Sequence, residues 1–222
     1  MSTQSTKQNM IIYLDIDGVL AEISHRLVHV EGPEKNYDAF YGSSMADDEP
    51  IWPNIDLVYS LIKSMKVDMS KYIDCHVVAL TGRPKRTATL TKMWMEKNCP
   101  EITSFIEEWS FRGDGDYRKS PRVKEEHAVN VLRKIANKVG YDNWVAVIID
   151  DDPTNVLAIE KFLHRDFGDC EAIPITLGTK QFVKLMVPPA FGCKTCPCSS
   201  GSSHCTSSEE GCENQSSLQS QK

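Results

Sequence analysis

The apolar run from Met10 to Leu14 ends abruptly in Asp15-Ile16-Asp17-Gly18. A short, unbroken apolar stretch bounded by turn residues is the pattern of a strand buried on both faces, as in a parallel sheet covered by helices. Two further runs repeat the pattern. Tyr72–Leu80 ends at Thr81-Gly82-Arg83-Pro84, and Trp144–Ile149 ends at Asp150-Asp151-Asp152. Between the runs, apolar residues recur at helical spacing, as in Ile55, Val58, Ile62 and Met65, or Val123, His127, Val131 and Ile135. Strands that alternate with helices form βαβ units. The fold expected is α/β in three layers, α/β/α, around a central parallel sheet. In such sheets ligands sit beyond the carboxyl ends of the strands. The three polar clusters, distant in sequence, all fall at those ends.

Further elements follow from the same patterns. Strands are expected at Ile11–Ile16, Trp109–Phe111 and Ala172–Thr176, besides the longer runs above. Helices are expected after Pro53-Asn54 and over Lys85–Lys97, Val123–Lys138 and Thr154–Phe162. Residues 21–50 are polar and rich in turn signals, including Asp47-Asp48-Glu49-Pro50, and read as a small lid. The organisation expected is a disordered N-terminus over 1–9, one domain over 10–187 and a tail over 188–222.

With 222 residues, of which 41% are hydrophobic, the chain can build one full core. No apolar run is long enough to span a bilayer, and Met1 to Asn9 has no signal-peptide h-region. The expectation is a cytoplasmic protein without a membrane partner. A net charge of −6 argues against broad, sequence-independent nucleic-acid binding but leaves room for a local basic patch. Cys75, Cys99 and Cys170 lie scattered in the body and read as reduced thiols, since a disulfide framework belongs to secreted chains.

The polar clusters together contain what phosphoryl transfer needs: a nucleophile, a proton donor, a cation and donors for the phosphoryl oxygens. Asp15 is the candidate nucleophile, forming an aspartyl-phosphate. Asp17 is the candidate acid that protonates the leaving oxygen and then activates water. Thr81 and Gly82 offer a hydroxyl and N–H groups to the phosphate, and Lys124 can bridge Asp15 and the phosphoryl group. Asp15, Asp17, Asp150 and Asp151 supply hard oxygen ligands for Mg²⁺. The register of the last run is open between Asp150-Asp151 and Asp151-Asp152. The first is favoured, because its carboxylates lie nearest the tip of the strand.

The ordered set Asp15-x-Asp17-Gly18, Thr81-Gly82-Arg83, Lys124 and Asp150-Asp151 resembles the four motifs of the haloacid dehalogenase (HAD) superfamily of phosphatases, over roughly residues 10–178. The resemblance implies a HAD-like Rossmannoid fold and a phosphoric monoester hydrolase. The stretch from Phe111 to Glu126 is similar, more narrowly, to the segment around motif three in the 3′-phosphatase domain of phage polynucleotide kinase-phosphatase. That resemblance implies substrate-binding roles for Arg26, Arg83 and Arg112. For Arg83 the alternative is pairing with a nearby carboxylate. The chain departs from that family at Ser120, where the family has an acidic residue, and Gly113 to Ser120 misses a P-loop by Arg118 in place of the second glycine.

By the same resemblance, a small lid implies an open site, which suits a nucleic-acid end better than a metabolite. The leading expectation is removal of 3′-phosphates from nucleic-acid ends. The runner-up is a nucleotidase acting on free 3′- or 5′-mononucleotides. The lid's Tyr37, Phe40 and Tyr41 could stack on a base or pack the lid on the body, and His25 and His29 are polar lid residues. A receiver domain combines similar residues in the reverse order and is disfavoured. In the tail, Cys193-x-x-Cys196-x-Cys198 with His204, Cys205 and Cys212 leaves two readings. One is a Zn²⁺ site; the other is a mobile, reduced tether for a protein partner.

Overall fold

A computed structural model describes residues 8–67, 72–140, 143–168 and 170–178. The tail from 188 onward, with its expected zinc ligands, lies outside the described residues, as does most of the expected disordered N-terminus. Five parallel strands form the central sheet: β1 (Gln8–Leu14), β4 (Tyr72–Pro84), β5 (Ile106–Arg112), β6 (Trp144–Asp150) and β7 (Glu171–Thr176). Their order across the sheet is β5-β4-β1-β6-β7. β1 starts at Gln8, so its first two residues fall inside the segment expected to be disordered.

Side chains two apart on a strand share a face, and the central strands fill both faces with apolar groups. Met10, Ile12 and Leu14 of β1 join Val145, Val147 and Ile149 of β6 in one core. Ile11 and Tyr13 join Trp144, Ala146 and Ile148 in the other. Each such aliphatic side chain, fully buried, contributes about 1.5–3 kcal/mol. α3 (Trp52–Val67), α4 (Ala88–Asn98) and α5 (Pro100–Phe105) cover the first face, and α6 (Ser120–Val139) and α7 (Pro153–Asp166) cover the second. The α/β/α layering is therefore present. α5 is not among the expected elements; it is short, and Pro100 starts it directly after the preceding helix.

The face of the crossovers changes between β1 and β6. The connections leaving β1 and β4 run over one face, and those leaving β5 and β6 run over the other. This is the topological switch where open α/β sheets bind ligands. Asp15, one residue past β1, and Asp150, the last of β6, stand on its two sides. The Asp15 N–H donates to the Ile149 carbonyl at 2.9 Å, which ties the two strand ends together.

Residues 21–50, expected to form a lid, fold into small pieces: β2 (Ala21–Glu22), α1 (Ser24–Leu27), α2 (Tyr37–Phe40), a turn of 3₁₀ helix at Ser43–Asp47 and β3 (Glu49–Pro50), which pairs antiparallel with β2. Among the described residues no helix is long and apolar enough to cross a membrane. Cys75, Cys99 and Cys170 are free and buried.

Candidate functional site

Beyond β1 the chain must turn at once. Gly18 has a φ of +77°, which favours glycine, and a Cβ there would overlap Asp151 Oδ2. This close approach brings the end of β1 against the end of β6. Asp15, Asp150 and Asp151 each offer a carboxylate oxygen, all within 4.8 Å of one another. Asp17, expected to be a ligand, is outside this group. Asp152 is also outside it; its side chain caps the N-terminus of α7, accepting from the Thr154 N–H at 2.8 Å.

Lys124 reaches the carboxylates from the second turn of α6. Its Nζ donates to Asp15 Oδ2 and to Asp150 Oδ2, both at 2.6 Å. The helix is held in place by Tyr13, whose hydroxyl donates to the Ala128 carbonyl one turn further on, at 2.8 Å. Asn155 Nδ2 and the Asp152 N–H both donate to Asp150 Oδ1. Asp15 Oδ1 is buried without a hydrogen-bond partner. A buried, unpartnered carboxylate oxygen is costly unless something else satisfies it.

The charges of this cluster do not balance. Three carboxylates face one ammonium, which leaves two negative charges when all are ionised. Burial pushes the Asp15 carboxyl well above its ordinary range; Lys124 opposes the shift, and Asp150 and Asp17 add to it. Burial also disfavours the charge on Lys124, but Asp15 and Asp150 outweigh it and raise its pKa. Asp151 is exposed as a residue, yet its carboxyl is crowded under the Gly18 turn. That desolvation, with the charge of Asp150, raises it to about 6. Hard oxygen donors carrying a two-unit negative excess fit one divalent cation.

Asp17 faces a different neighbourhood. Its Oδ1 accepts from Arg83 Nε at 2.9 Å, Arg83 Nη2 at 2.6 Å and Arg26 Nη2 at 3.0 Å. Both arginines also donate to Asp48: Arg26 through Nε and Nη2 at 2.6 and 2.8 Å, and Arg83 through Nη2 at 2.8 Å. Arg26 Nη1 donates to the Phe40 carbonyl, and its guanidinium lies 4.7 Å from the centre of the Phe40 ring. Both arginines are fully buried. Expected to grip substrate, they instead grip carboxylates, which is the alternative weighed for Arg83.

Burial opposes ionisation of Asp17, but Arg83 and Arg26 outweigh it and hold its pKa below the ordinary range. Burial pushes Asp48 up while Arg26 pulls it back, and Arg83 is held above its own ordinary range. The geometry decides for the ion pair, because both Asp48 oxygens take guanidinium N–H groups.

Thr81 is buried three residues before the end of β4, and its Oγ1 accepts from the Arg83 N–H at 3.2 Å. The Gly82 carbonyl accepts from Arg112 Nε at 3.1 Å and from the Tyr41 hydroxyl at 3.4 Å. Burial and the charge of Asp17 push the Tyr41 hydroxyl up to about 12, so it stays a donor. Arg112 otherwise donates to the carbonyls of Asp116 and Arg118 and makes no ion pair among the described residues. Of the three predicted arginines, it alone has no carboxylate partner.

Asp48 is the site residue that sequence reasoning missed. It sits in a run read only as turn signals, and no local pattern distinguishes it from its exposed neighbour Asp47.

A scan against protein-family models finds no match for this chain, and a search of curated proteins finds none. The functional reading rests on the site itself.

Proposed function

We propose that this chain is a Mg²⁺-dependent phosphomonoesterase of the HAD type, which removes 3′-phosphates from nucleic-acid ends through an aspartyl-phosphate on Asp15. The observation that carries the reading is the two-unit negative excess of Asp15, Asp150 and Asp151 around Lys124, at the topological switch of the sheet. A Mg²⁺ held by those three carboxylates would supply the positive charge that lets an anionic nucleophile approach an anionic phosphate.

Asp15 attacks phosphorus, the bond to the leaving oxygen breaks, and the phosphoryl group is carried on the carboxylate. Lys124 holds Asp15 in place and offsets charge on the phosphoryl oxygens. The Thr81 oxygen already accepts from Arg83, which leaves its O–H free to donate to phosphate. Asp17 is gripped through Oδ1 alone, so Oδ2 is the oxygen that exchanges protons. It gives a proton to the leaving hydroxyl, then takes one from the water that hydrolyses the aspartyl-phosphate. Because Arg26 and Arg83 keep Asp17 ionised, it must first gain a proton to act as the acid. Activity under first-half control therefore falls as pH rises. Arg112, free of carboxylates, is the arginine left to meet a phosphate of the substrate other than the one transferred.

The chain's net charge of −6 favours the second reading, a nucleotidase for free mononucleotides. Phosphate release in Mg²⁺ separates the two, using an oligonucleotide with a 3′-phosphate, the same oligonucleotide with a 5′-phosphate, and 3′- and 5′-mononucleotides. The expected result is preference for the 3′-phosphorylated oligonucleotide, with activity lowered at least about 10³-fold in Asp15→Asn. Preference for mononucleotides establishes the second reading. No release from any of them overturns both.

A further inference from the structure

A cavity of 910 Å³ runs between the lid segment Glu34–Tyr41 and the loop Arg112–Ser120, and of its lining only Arg112 enters the proposal above. It lies beside the site. Tyr41, which lines it, donates to the carbonyl of Gly82 beside Thr81, and Ser120, at its other wall, begins the helix that carries Lys124. Asp15, Asp17 and Thr81 are not part of its lining, so the reacting phosphate lies outside this volume. Pockets that enclose a whole small ligand measure roughly 300–1,000 Å³. The cavity is at the upper end of that range without the reacting group, more than one nucleoside requires.

Its chemistry is mixed in a particular way. Five cationic side chains line it against three carboxylates, although the chain as a whole carries −6. Arg86 pairs with Asp38 and Arg118 with Asp116, both in exposed pairs. Lys35 and Lys119 make no ion pair among the described residues, and Arg112 donates only to carbonyls. Three cations are thus available for phosphodiesters. Two tyrosines stand on opposite walls, Tyr37 on the lid at 41% exposure and Tyr117 on the loop at 84%. An aromatic ring left this open gains nothing from burial in the free protein. Exposed aromatics along a groove that offers cations to a backbone are how unpaired bases are held.

We propose that this groove holds the single-stranded nucleotides next to the reacting end. Their phosphodiesters run along Lys35, Arg112 and Lys119, and their bases stack on Tyr37 and Tyr117. The inference rests on the phosphomonoesterase reading and adds to it that the substrate is a strand of several unpaired nucleotides. A duplex end keeps its bases stacked on each other and cannot use the tyrosines.

The test is kcat/KM for 3′-phosphorylated mono-, di-, tri- and tetranucleotides, and for a 3′-phosphorylated 12-mer offered single-stranded and as a blunt duplex. The expected result is a rise of at least about tenfold from the mononucleotide to the trinucleotide, in line with base–aromatic stacking. The single strand is preferred to the duplex. Tyr117→Ala and Lys35→Glu, both at exposed positions, shrink the trinucleotide-to-mononucleotide ratio. Lys97→Glu makes the same charge change on α4, outside the groove, and leaves the ratio unchanged. A ratio near one in the unaltered protein, preference for the duplex, or an equal loss in Lys97→Glu and Lys35→Glu would overturn the groove while leaving the phosphatase reading intact. If no phosphate is released from any substrate, the phosphatase reading falls. Fluorescence anisotropy of a labelled single-stranded 12-mer then decides the groove separately: binding that weakens in Tyr117→Ala upholds it, and absence of binding sinks it.

Discussion

Asp15 and Asp17 are two residues apart, yet they enter buried networks of opposite balance. Around Asp15, three carboxylates share one ammonium, and a carboxylate oxygen remains unpartnered. Around Asp17, two carboxylates meet two guanidiniums, and the charges match. A balanced, dry network serves as a scaffold, since breaking one partner leaves a charge stranded. An unbalanced one stores a demand for a counter-charge. The balanced network holds the shape and fixes Asp17 through Oδ1, leaving its Oδ2 to the chemistry, while the unbalanced one is held ready for a ligand.

The largest effect is expected on the balanced side. Asp48→Ala leaves two buried guanidiniums to share Asp17 alone, one cation in excess, and costs about 3–5 kcal/mol, read by chemical denaturation. A loss below about 1 kcal/mol would mean that the clamp is not the scaffold it is taken to be. Next comes the unbalanced side. Mg²⁺ at a hundred times its dissociation constant stabilises the fold by about 2.7 kcal/mol, seen as a rise in Tm that disappears in Asp150→Asn. An equal rise in both proteins would place the ion elsewhere.

Acid sharpens the contrast further. The Asp151 carboxyl titrates near 6 in the folded state, above its unfolded value near 4. Between those values the folded protein binds more protons, so the stability of the metal-free protein falls as pH rises through that window. Its Tm therefore rises as the pH is lowered from 7 to 5, and Asp151→Asn flattens the slope. Asp17 has the opposite sign: its pKa is lowered in the folded state, so its contribution is lost only as pH falls below the ordinary carboxylate range. With Mg²⁺ bound, protons compete with the ion, and the Asp151 slope reverses. The smallest effect belongs to Arg86→Ala, which removes an exposed pair with Asp38 and changes stability by less than about 1 kcal/mol.

The parts of this molecule written in local patterns were readable in the chain. The runs ending at Leu14, Leu80 and Ile149 identified the central strands, because burial on both faces demands unbroken apolar residues. Their polar ends located Asp15, Thr81 and Asp150, because the strand tips of a parallel sheet converge on one crevice. Asp48 was not readable: it lies 22 residues from Arg26 and 35 from Arg83, and nothing beside it in sequence marks it as buried. The direction of the two arginines was equally hidden, since a guanidinium fits a carboxylate and a phosphate alike.

The sequence by itself determined the strands, the order of motifs and the carboxylates at the strand ends, since hydrophobic period and turn chemistry act over neighbouring residues. Only the tertiary structure decided which charges meet. Arg26 and Arg83 were drawn to Asp17 and Asp48, Lys124 was set between Asp15 and Asp150, and a groove opened between lid and loop. Electrostatic partnership in a folded chain depends on distance and burial, and both come from packing residues far apart in sequence.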